Sequence, residues 1–324
     1  MRQDGTDWER NEGERPHQQM TRRQCMAMMA GAAAAALTPR FCIGEDARPV
    51  LRLAVSAETL AGANLNDARA AYKVWVRELN GQLGYVIAEP VSEVFIASED
   101  LVLGVRQGRF DSYVATAPEF AKIVDLTDPD SLLIEDYMAD GLEYVLLVHS
   151  ASRFKQIADL RGAQILSHLH RDTALLPAWM SILLAANNLP SPERFFAGNT
   201  LCDKLNMVVL PVYFHRADGA LLARRNWEMA VELNPQLGRD LRVITTSSKV
   251  IPVVLGFRRT TTANARKSLI DSIQRVYSVP AGKQIVALYQ STGFVVRPVS
   301  VMKGTLEMVR DFKRLQPDRP TDRK

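Results

Sequence analysis

Two runs of alternating strand and helix patterns constrain the fold of this chain more than any other feature. In the first run, residues 50–120, short apolar strands at Val50–Val55, Tyr85–Ala88 and Asp111–Ala115 alternate with helical patterns. The second run covers residues 142–245. Such alternation predicts parallel sheets flanked by helices, and therefore an α/β fold. No glycine-rich dinucleotide fingerprint or P-loop follows the strands, which argues against a nucleotide site.

Two long apolar strands, Leu142–His149 and Ile251–Phe257, stand at the junctions of these runs. We interpret them as crossing strands between two lobes, one of which is inserted into the other. The predicted first lobe comprises residues 49–148 and 244–309, and the second comprises residues 149–243. Loops after the strands and the first turns of helices then face a cleft between the lobes, which is the usual ligand site of open α/β sheets.

The formal net charge of +4 raises the question of a nucleic-acid partner. Residues 310–324 alone carry six basic and three acidic residues, and we interpret them as a solvated, frayed basic tail. The rest of the chain has no basic stripe interleaved with aromatic residues, so no nucleic-acid partner is expected. Residues 149–243 hold eleven basic and eight acidic residues, a small positive balance that suits a small anion.

The N-terminal segment has the layout of an export signal. Thr21–Gln24 resembles the start of a twin-arginine signal, and the apolar stretch that follows, Ala27–Leu37, is too short to span a membrane. We predict that residues 1–48 are an export signal and linker, cleaved near Ala36, and that the mature protein is periplasmic. Two other interpretations stay open, namely an alanine-rich helix on a cytosolic protein and a true start at Met20.

The cysteines and histidines predict no metal site and no cofactor. The three cysteines match no zinc pattern, and the five histidines are scattered. Cys42 and Cys202 either pair in an oxidising compartment, or Cys202 is a small buried thiol. No nucleophile elbow, zinc-protease or kinase motif occurs, so the chain is not expected to be an enzyme.

Several short motifs resemble those of one protein family. Lys155–Gly162 is similar to a lysine-containing element that ends in Ala-Asp-Leu, a basic residue and glycine. Arg109–Tyr113 and Arg216–Leu222 resemble strand entries of the first and second lobes, and Asn234–Ile244 resembles a second-lobe pattern. In their order over residues 50–300, these motifs resemble type II periplasmic solute-binding proteins of the phosphate, phosphite and phosphonate type.

The resemblance implies a two-lobe type II periplasmic binding fold with two hinge strands and a ligand cleft between the lobes. It implies an exported protein that captures a small solute, with a phosphonate-like or phosphate-like anion favoured, by hinge closure. The protein would pass the solute to the membrane permease of an ABC transporter. The alternatives are a ligand-sensing subunit for a membrane histidine kinase or cyclase, and a transferase-type enzyme that uses the cleft and Cys202.

In this family, hydroxyl groups and backbone N–H groups at helix starts hold the oxyanion. The candidate ligand contacts follow the predicted strands or begin helices: Ser56, Thr59, Thr116, Arg171, Asp172, Thr173 and Lys204. Each has an ordinary alternative as a loop, capping or solvated residue, and Asp172 or Thr173 is also a candidate cap for a helix over 175–187. The loop Leu169–Ala174 departs from the family pattern because it offers one hydroxyl, so Arg171 is expected to compensate by a bidentate contact.

Overall fold

The computed structural model describes residues 50–61, 64–83, 86–87, 93–276 and 293–316. The predicted export signal and Cys42 lie outside these residues, as does a helix that the sequence pattern predicts over 281–291.

The described strands and helices alternate along the chain as the sequence predicts. The strands are β1 Val50–Leu51, β2 Leu53–Ser56, β3 Val86–Ile87, β4 Glu93–Ile96, β5 Ser112–Thr116, β6 Leu132–Glu135, β7 Tyr144–His149, β8 Gln164–His168, β9 Gly198–Cys202, β10 Gly219–Ala223, β11 Leu241–Thr246, β12 Val253–Phe257 and β13 Phe294–Arg297. The helices are α1 Leu65–Leu83, α2 Ser98–Gln107, α3 Ala117–Phe120, α4 Leu176–Ala186, α5 Pro192–Phe195, α6 Leu205–Tyr213, α7 Arg224–Leu233, α8 Pro235–Asp240, α9 Ala263–Val276 and α10 Lys303–Leu315.

Among the described residues, the strands form two large sheets and one small parallel pair, β1 with β3. The first sheet has the order β13-β6-β12-β5-β2-β4, and the second has the order β11-β7-β10-β8-β9. The predicted parallel pairing is confirmed for β2 with β4 and β5, and for β8 with β9 and β10. The other strands pair antiparallel, so both sheets are mixed.

Buried apolar side chains pack each sheet against its helices in three clusters. One cluster joins β2 and β12 to α1 and α9, and a second joins β7 and β10 to α6 and α7. The third extends from one sheet to the other through α4. The fully buried strand β10, Gly-Ala-Leu-Leu-Ala, has no polar side chain on either face, as expected where both faces of a sheet are covered.

The chain crosses between the sheets just before β7 and β12, in segments that overlap the predicted crossing strands only at residues 142–143 and 251–252. β7 lies wholly in the second sheet and β12 wholly in the first. The crossings are instead segments 136–143 and 247–252, which pair with each other through two backbone hydrogen bonds between Leu142 and Val250. Apolar runs mark buried strands, but they do not show which sheet a strand joins. The exact residue bounds of the two lobes stay a prediction.

The sequence analysis missed four of the described strands, β4, β6, β9 and β13. Each has only four or five residues, and all but β6 lie at the edge of a sheet. A strand this short gives too brief an apolar run or alternation to be identified in sequence. The sequence pattern also predicts a helix over Leu101–Gln107 that Gly108 closes. In the structure this helix, α2, begins at Ser98, and Gly108 follows its last residue with φ of 77°, in the left-handed region, as predicted.

The predicted basic tail is wrong for residues 310–315, which belong to helix α10. One face of α10 presents Thr305, Met308, Val309 and Phe312 to the core, and the helix packs against α4 of the second lobe. The basic residues are exposed on the opposite face. The high charge of this segment therefore reflects the solvent side of an amphipathic helix and not a frayed end.

Replacing Thr305 with valine tests whether helix α10 stabilises the second crossing segment, residues 247–252. The Thr305 hydroxyl oxygen accepts a hydrogen bond from the backbone N–H of Ile251 at 2.9 Å, in a buried position next to the second crossing. We expect Thr305→Val to lower the free energy of unfolding by about 1–3 kcal/mol, because the shape is kept while a buried donor loses its partner. Chemical denaturation measures this change. An unchanged midpoint would show that α10 does not hold the crossing.

Candidate functional site

Two parallel neighbours of the first sheet, β2 and β5, end at the same edge with Ser56 and Thr116. Both residues are buried, and both begin short helical turns, Ser56 for residues 57–60 and Thr116 for α3. The Ser56 hydroxyl oxygen accepts the N–H of Glu58, and Thr59 donates its hydroxyl proton to the Ser56 carbonyl at 2.7 Å. These three predicted ligand contacts therefore lie at the expected edge, where they also cap and close turns.

The buried carboxylate of Glu119 accepts hydrogen bonds from the donor groups at the ends of β2 and β5. Its two oxygens accept hydrogen bonds from the Ser56 hydroxyl at 2.5 Å, and from the N–H and hydroxyl of Thr116, both at 2.8 Å. The bond to the Thr116 N–H completes a capping box, for which Thr-x-x-Glu is the sequence signature. The bond from Ser56 is not part of the capping box. It links the end of β2 to the same carboxylate that binds the end of β5.

In the second lobe, strand β8 leads into a short turn over Arg171–Thr173. Thr173 donates its hydroxyl proton toward the carbonyls of His168 and His170, at 2.6 and 2.7 Å, and accepts the His170 N–H. Helix α4 begins after Leu175, so the prediction that Asp172 or Thr173 caps it is wrong. The reason is the turn over Arg171–Thr173, which precedes α4. The Asp172 and Thr173 side chains form hydrogen bonds in and around this turn and do not reach the start of α4.

The turn over Arg171–Thr173 lies beside residues 57–60 of the first lobe, and Arg171 joins the two sheets. An Nη of Arg171 donates to the Glu135 carboxylate at the end of β6, at 2.6 Å. The Arg171 side chain is 14% exposed and that of Glu135 is 8% exposed. A guanidinium group presents N–H donors in a planar fork that matches carboxylate, phosphate and phosphonate oxygens.

Tyr137, on the first crossing segment, contacts three polar residues of the second lobe. Its hydroxyl donates to the Asp172 carboxylate at 2.8 Å and accepts from Arg171 at 3.1 Å. The Arg225 guanidinium at the start of α7 lies over its ring, 3.9 Å from the ring centre. Tyr144 adds a buried hydroxyl that donates to the Asp172 carbonyl at 2.9 Å. The turn is therefore held from the first crossing and from β7.

Asp172 points into this network and is almost fully buried. Burial raises its pKa, but the hydrogen bond and charge of His170, with the charge of Arg171 and the Tyr137 hydroxyl, outweigh burial and hold the pKa below its usual value. Burial lowers the pKa of His168 to about 4, helped by His170, whose ring stacks on it at 5.4 Å. His168 is thus uncharged at neutral pH and contacts the Asn226 amide.

The remaining two residues singled out in the sequence lie apart from this network. Lys204 is exposed and precedes helix α6, with no side-chain cap bond at that helix start. Cys202 is a buried free thiol at the end of β9. Within the described residues, no group of three His, Cys, Asp or Glu side chains is placed to hold a metal ion. Among the same residues, no helix combines the length and hydropathy needed to cross a membrane.

Sequence reasoning missed three residues of the site, Glu119, Glu135 and Tyr137. Glu119 carries a recognisable signal, because it stands three residues after a helix-starting threonine. Glu135 and Tyr137 follow the strand β6, which the sequence analysis did not predict. Their positions beside Arg171 depend on how the two sheets approach each other, so no local pattern identifies them.

The fold and the site define a two-lobed α/β binding protein with its strand ends facing a junction between lobes. A profile of the family described as "ABC transporter, phosphonate, periplasmic substrate-binding protein" matches residues 63–297. The chain belongs to this family. It is therefore a substrate-binding component of an ABC transporter system and not an enzyme, as the sequence analysis expected.

Solved structures share this fold at low sequence identity. A phosphonate-transporter binding protein from Pseudomonas aeruginosa is 14% identical, with a TM-score of 0.54 over 83% of this chain and 88% of that chain. PhnD1 from Prochlorococcus marinus in complex with methylphosphonate is 15% identical, with a TM-score of 0.56 over 82% and 98%. A comparison with curated protein sequences gave no match. The similarity in fold to these two binding proteins confirms the predicted type II fold.

Proposed function

We propose that the chain captures a small phosphonate-type anion at the junction of the two lobes, and that Arg171 is the cation that meets it. The position of Arg171 carries the proposal. It is a largely buried guanidinium at the carboxyl end of β8, beside the turn at the carboxyl end of β2. Burial strengthens a charge-assisted contact with an oxyanion, and closure of the lobes would bring both turns to the solute.

The other predicted ligand contacts are expected to contribute less to anion binding than Arg171. Ser56, Thr116 and Thr173 use their hydroxyl groups within the protein, so each would have to exchange a partner to bind a solute. Asp172 faces Tyr137 and His170, and it would repel an oxyanion that approached it. Lys204 would add a positive charge only from the exposed start of α6.

Export and hand-over to a membrane permease complete the proposed function. The periplasmic location of the family and the order of Thr21–Gln24 and Ala27–Leu37 support a twin-arginine export signal with cleavage near Ala36. The family description also supports an ABC permease as the partner that receives the solute. No feature of the site favours the sensor or transferase alternatives.

Replacing Arg171 with lysine tests the proposed anion contact. Lysine keeps the positive charge beside Glu135 but loses the planar pair of donors. We expect Arg171→Lys to weaken methylphosphonate binding at least tenfold in isothermal titration calorimetry, with a smaller thermal stabilisation at equal ligand concentration. Parallel titrations with phosphate, sulfate and acetate rank these anions by their affinity for the parent protein.

The matched control is Arg216→Lys. Arg216 is exposed and precedes β10 at the opposite edge of the second sheet. This variant should bind methylphosphonate as the parent does. Equal affinity of parent and Arg171→Lys would refute the assignment of Arg171. If a neutral solute stabilises the protein and no anion does, the proposed ligand class is wrong.

A further inference from the structure

The ion pair between Glu135 and Arg171 is unusual in its position because its partners belong to different sheets. Glu135 is the last residue of β6 in the first sheet, and Arg171 follows β8 in the second. They are 36 residues apart and meet at 2.6 Å with little exposure of either side chain. Within the described part of the chain, the ion pairs of Arg52 with Asp111 and of Arg266 with Asp128 each join residues of the first lobe. The contacts of Asp172 with His170 and Arg171 stay within one turn of the second lobe.

The charges around Arg171 leave little room for another anion. Glu135 contacts the guanidinium directly, and an Asp172 oxygen lies 3.9 Å from its Nε. Another cation of the network, Arg225, is stacked on the Tyr137 ring. A solute oxyanion that reached Arg171 with Glu135 in place would add a third negative charge to a buried group that already balances two.

We propose that Glu135 is an internal competitor for the anionic group of the solute and thereby sets the affinity of the site. This inference rests on the proposed function, in which Arg171 meets the anion. The Glu135 carboxylate holds the guanidinium donors that an oxyanion needs. A solute therefore binds only when the carboxylate withdraws from Arg171.

The location of Glu135 links this exchange to movement of the lobes. Glu135 and Tyr137 flank the start of the first crossing segment, residues 136–143, and both contact the turn over Arg171–Thr173. Opening of the lobes separates Glu135 from Arg171 and frees the guanidinium for the solute. When the lobes close, the carboxylate and the bound anion compete for the same guanidinium, and return of the carboxylate favours release of the solute. Glu135 lowers affinity for the solute in this scheme, in contrast to a residue that binds it.

The test compares Glu135→Gln with the parent in isothermal titration calorimetry, using methylphosphonate and methanesulfonate as probes. Glutamine keeps the size of the side chain and still accepts a hydrogen bond from Arg171, but it carries no charge. We expect at least tenfold tighter binding of both anions. Glu135→Asp, which keeps the charge but draws the carboxylate back by one methylene, should give an intermediate gain and serves if Glu135→Gln does not fold.

Asp111→Asn is the matched control. Asp111 forms a two-pronged pair with Arg52 inside the first lobe, at the far end of β5 from Thr116. Its removal should leave anion affinity unchanged. Unchanged or weaker binding by Glu135→Gln, with a parent that binds anions through Arg171, overturns the competition and leaves the proposed function standing. If neither the parent nor Glu135→Gln binds any anion, the proposed function fails, and the competition fails with it.

Discussion

Arg171→Ala is expected to lower the free energy of unfolding by about 3–5 kcal/mol at neutral pH, the range for breaking one side of a buried ion pair. Two buried carboxylates, Glu135 and Asp172, lose the charge of Arg171 in this variant. The loss also removes the Arg171 contact with the Tyr137 hydroxyl across the lobes. Chemical denaturation followed by tryptophan fluorescence measures the change.

The pH dependence separates this electrostatic effect from a loss of packing. In the parent, the pKa of Asp172 is below its usual value, so its charged form stabilises the fold above the unfolded pKa of about 3.9, and this stability is lost as the pH falls through the lower folded pKa. Without Arg171, the balance moves toward burial, which raises that pKa. His170 and Tyr137 still oppose burial in the variant, but with less total effect. The difference in stability between the variant and the parent should therefore narrow as the pH falls toward the unfolded pKa of about 3.9.

Two further variants check the origin of this loss. Arg171→Lys should lose less stability than Arg171→Ala because it retains the charge, and Arg216→Ala, on the exposed loop before β10, should change stability by less than about 0.5 kcal/mol. A constant difference between Arg171→Ala and the parent as the pH falls from 8 toward the unfolded pKa of about 3.9 would contradict the electrostatic explanation.

Glu119→Ala is the second substitution with a large expected effect. It leaves three buried donors without an acceptor, the Ser56 hydroxyl and the N–H and hydroxyl of Thr116. Since each unsatisfied buried donor costs about 1–3 kcal/mol and hydroxyl groups can rotate to new partners, we expect a total loss of about 3–5 kcal/mol. Thermal and chemical denaturation should report the same ranking of variants.

Glu119→Gln provides the conservative comparison. The amide fills the same space and still accepts from Thr116, so its cost should be about 1–2 kcal/mol. Glu99→Ala, in the exposed first turn of α2, removes a carboxylate with no such bonds and should cost less than about 1 kcal/mol. If Glu119→Ala is no less stable than Glu99→Ala, the carboxylate does not join the ends of β2 and β5.

Much of the fold was predictable because strands and helices leave local patterns. The apolar runs at residues 50–55 and 251–257 predicted buried strands, and Gly108 predicted the end of α2. The order of strands and helices predicted the α/β class. The sequence also identified Arg171 as a candidate ligand contact, since the loop Leu169–Ala174 offers only one hydroxyl group and a guanidinium could compensate.

The sequence by itself determined the class of fold, the strand ends that carry Ser56, Thr116 and Arg171, and the family resemblance. Only the tertiary structure decided the partners of these residues. Glu119 reaches Ser56 across 63 residues of sequence, and Glu135 reaches Arg171 across 36. A hydrogen bond or ion pair depends on a few ångströms between groups on different strands, and the packing of two sheets sets that distance. Local patterns specify strands and turns, but the tertiary approach of those strands specifies the charges that face one another.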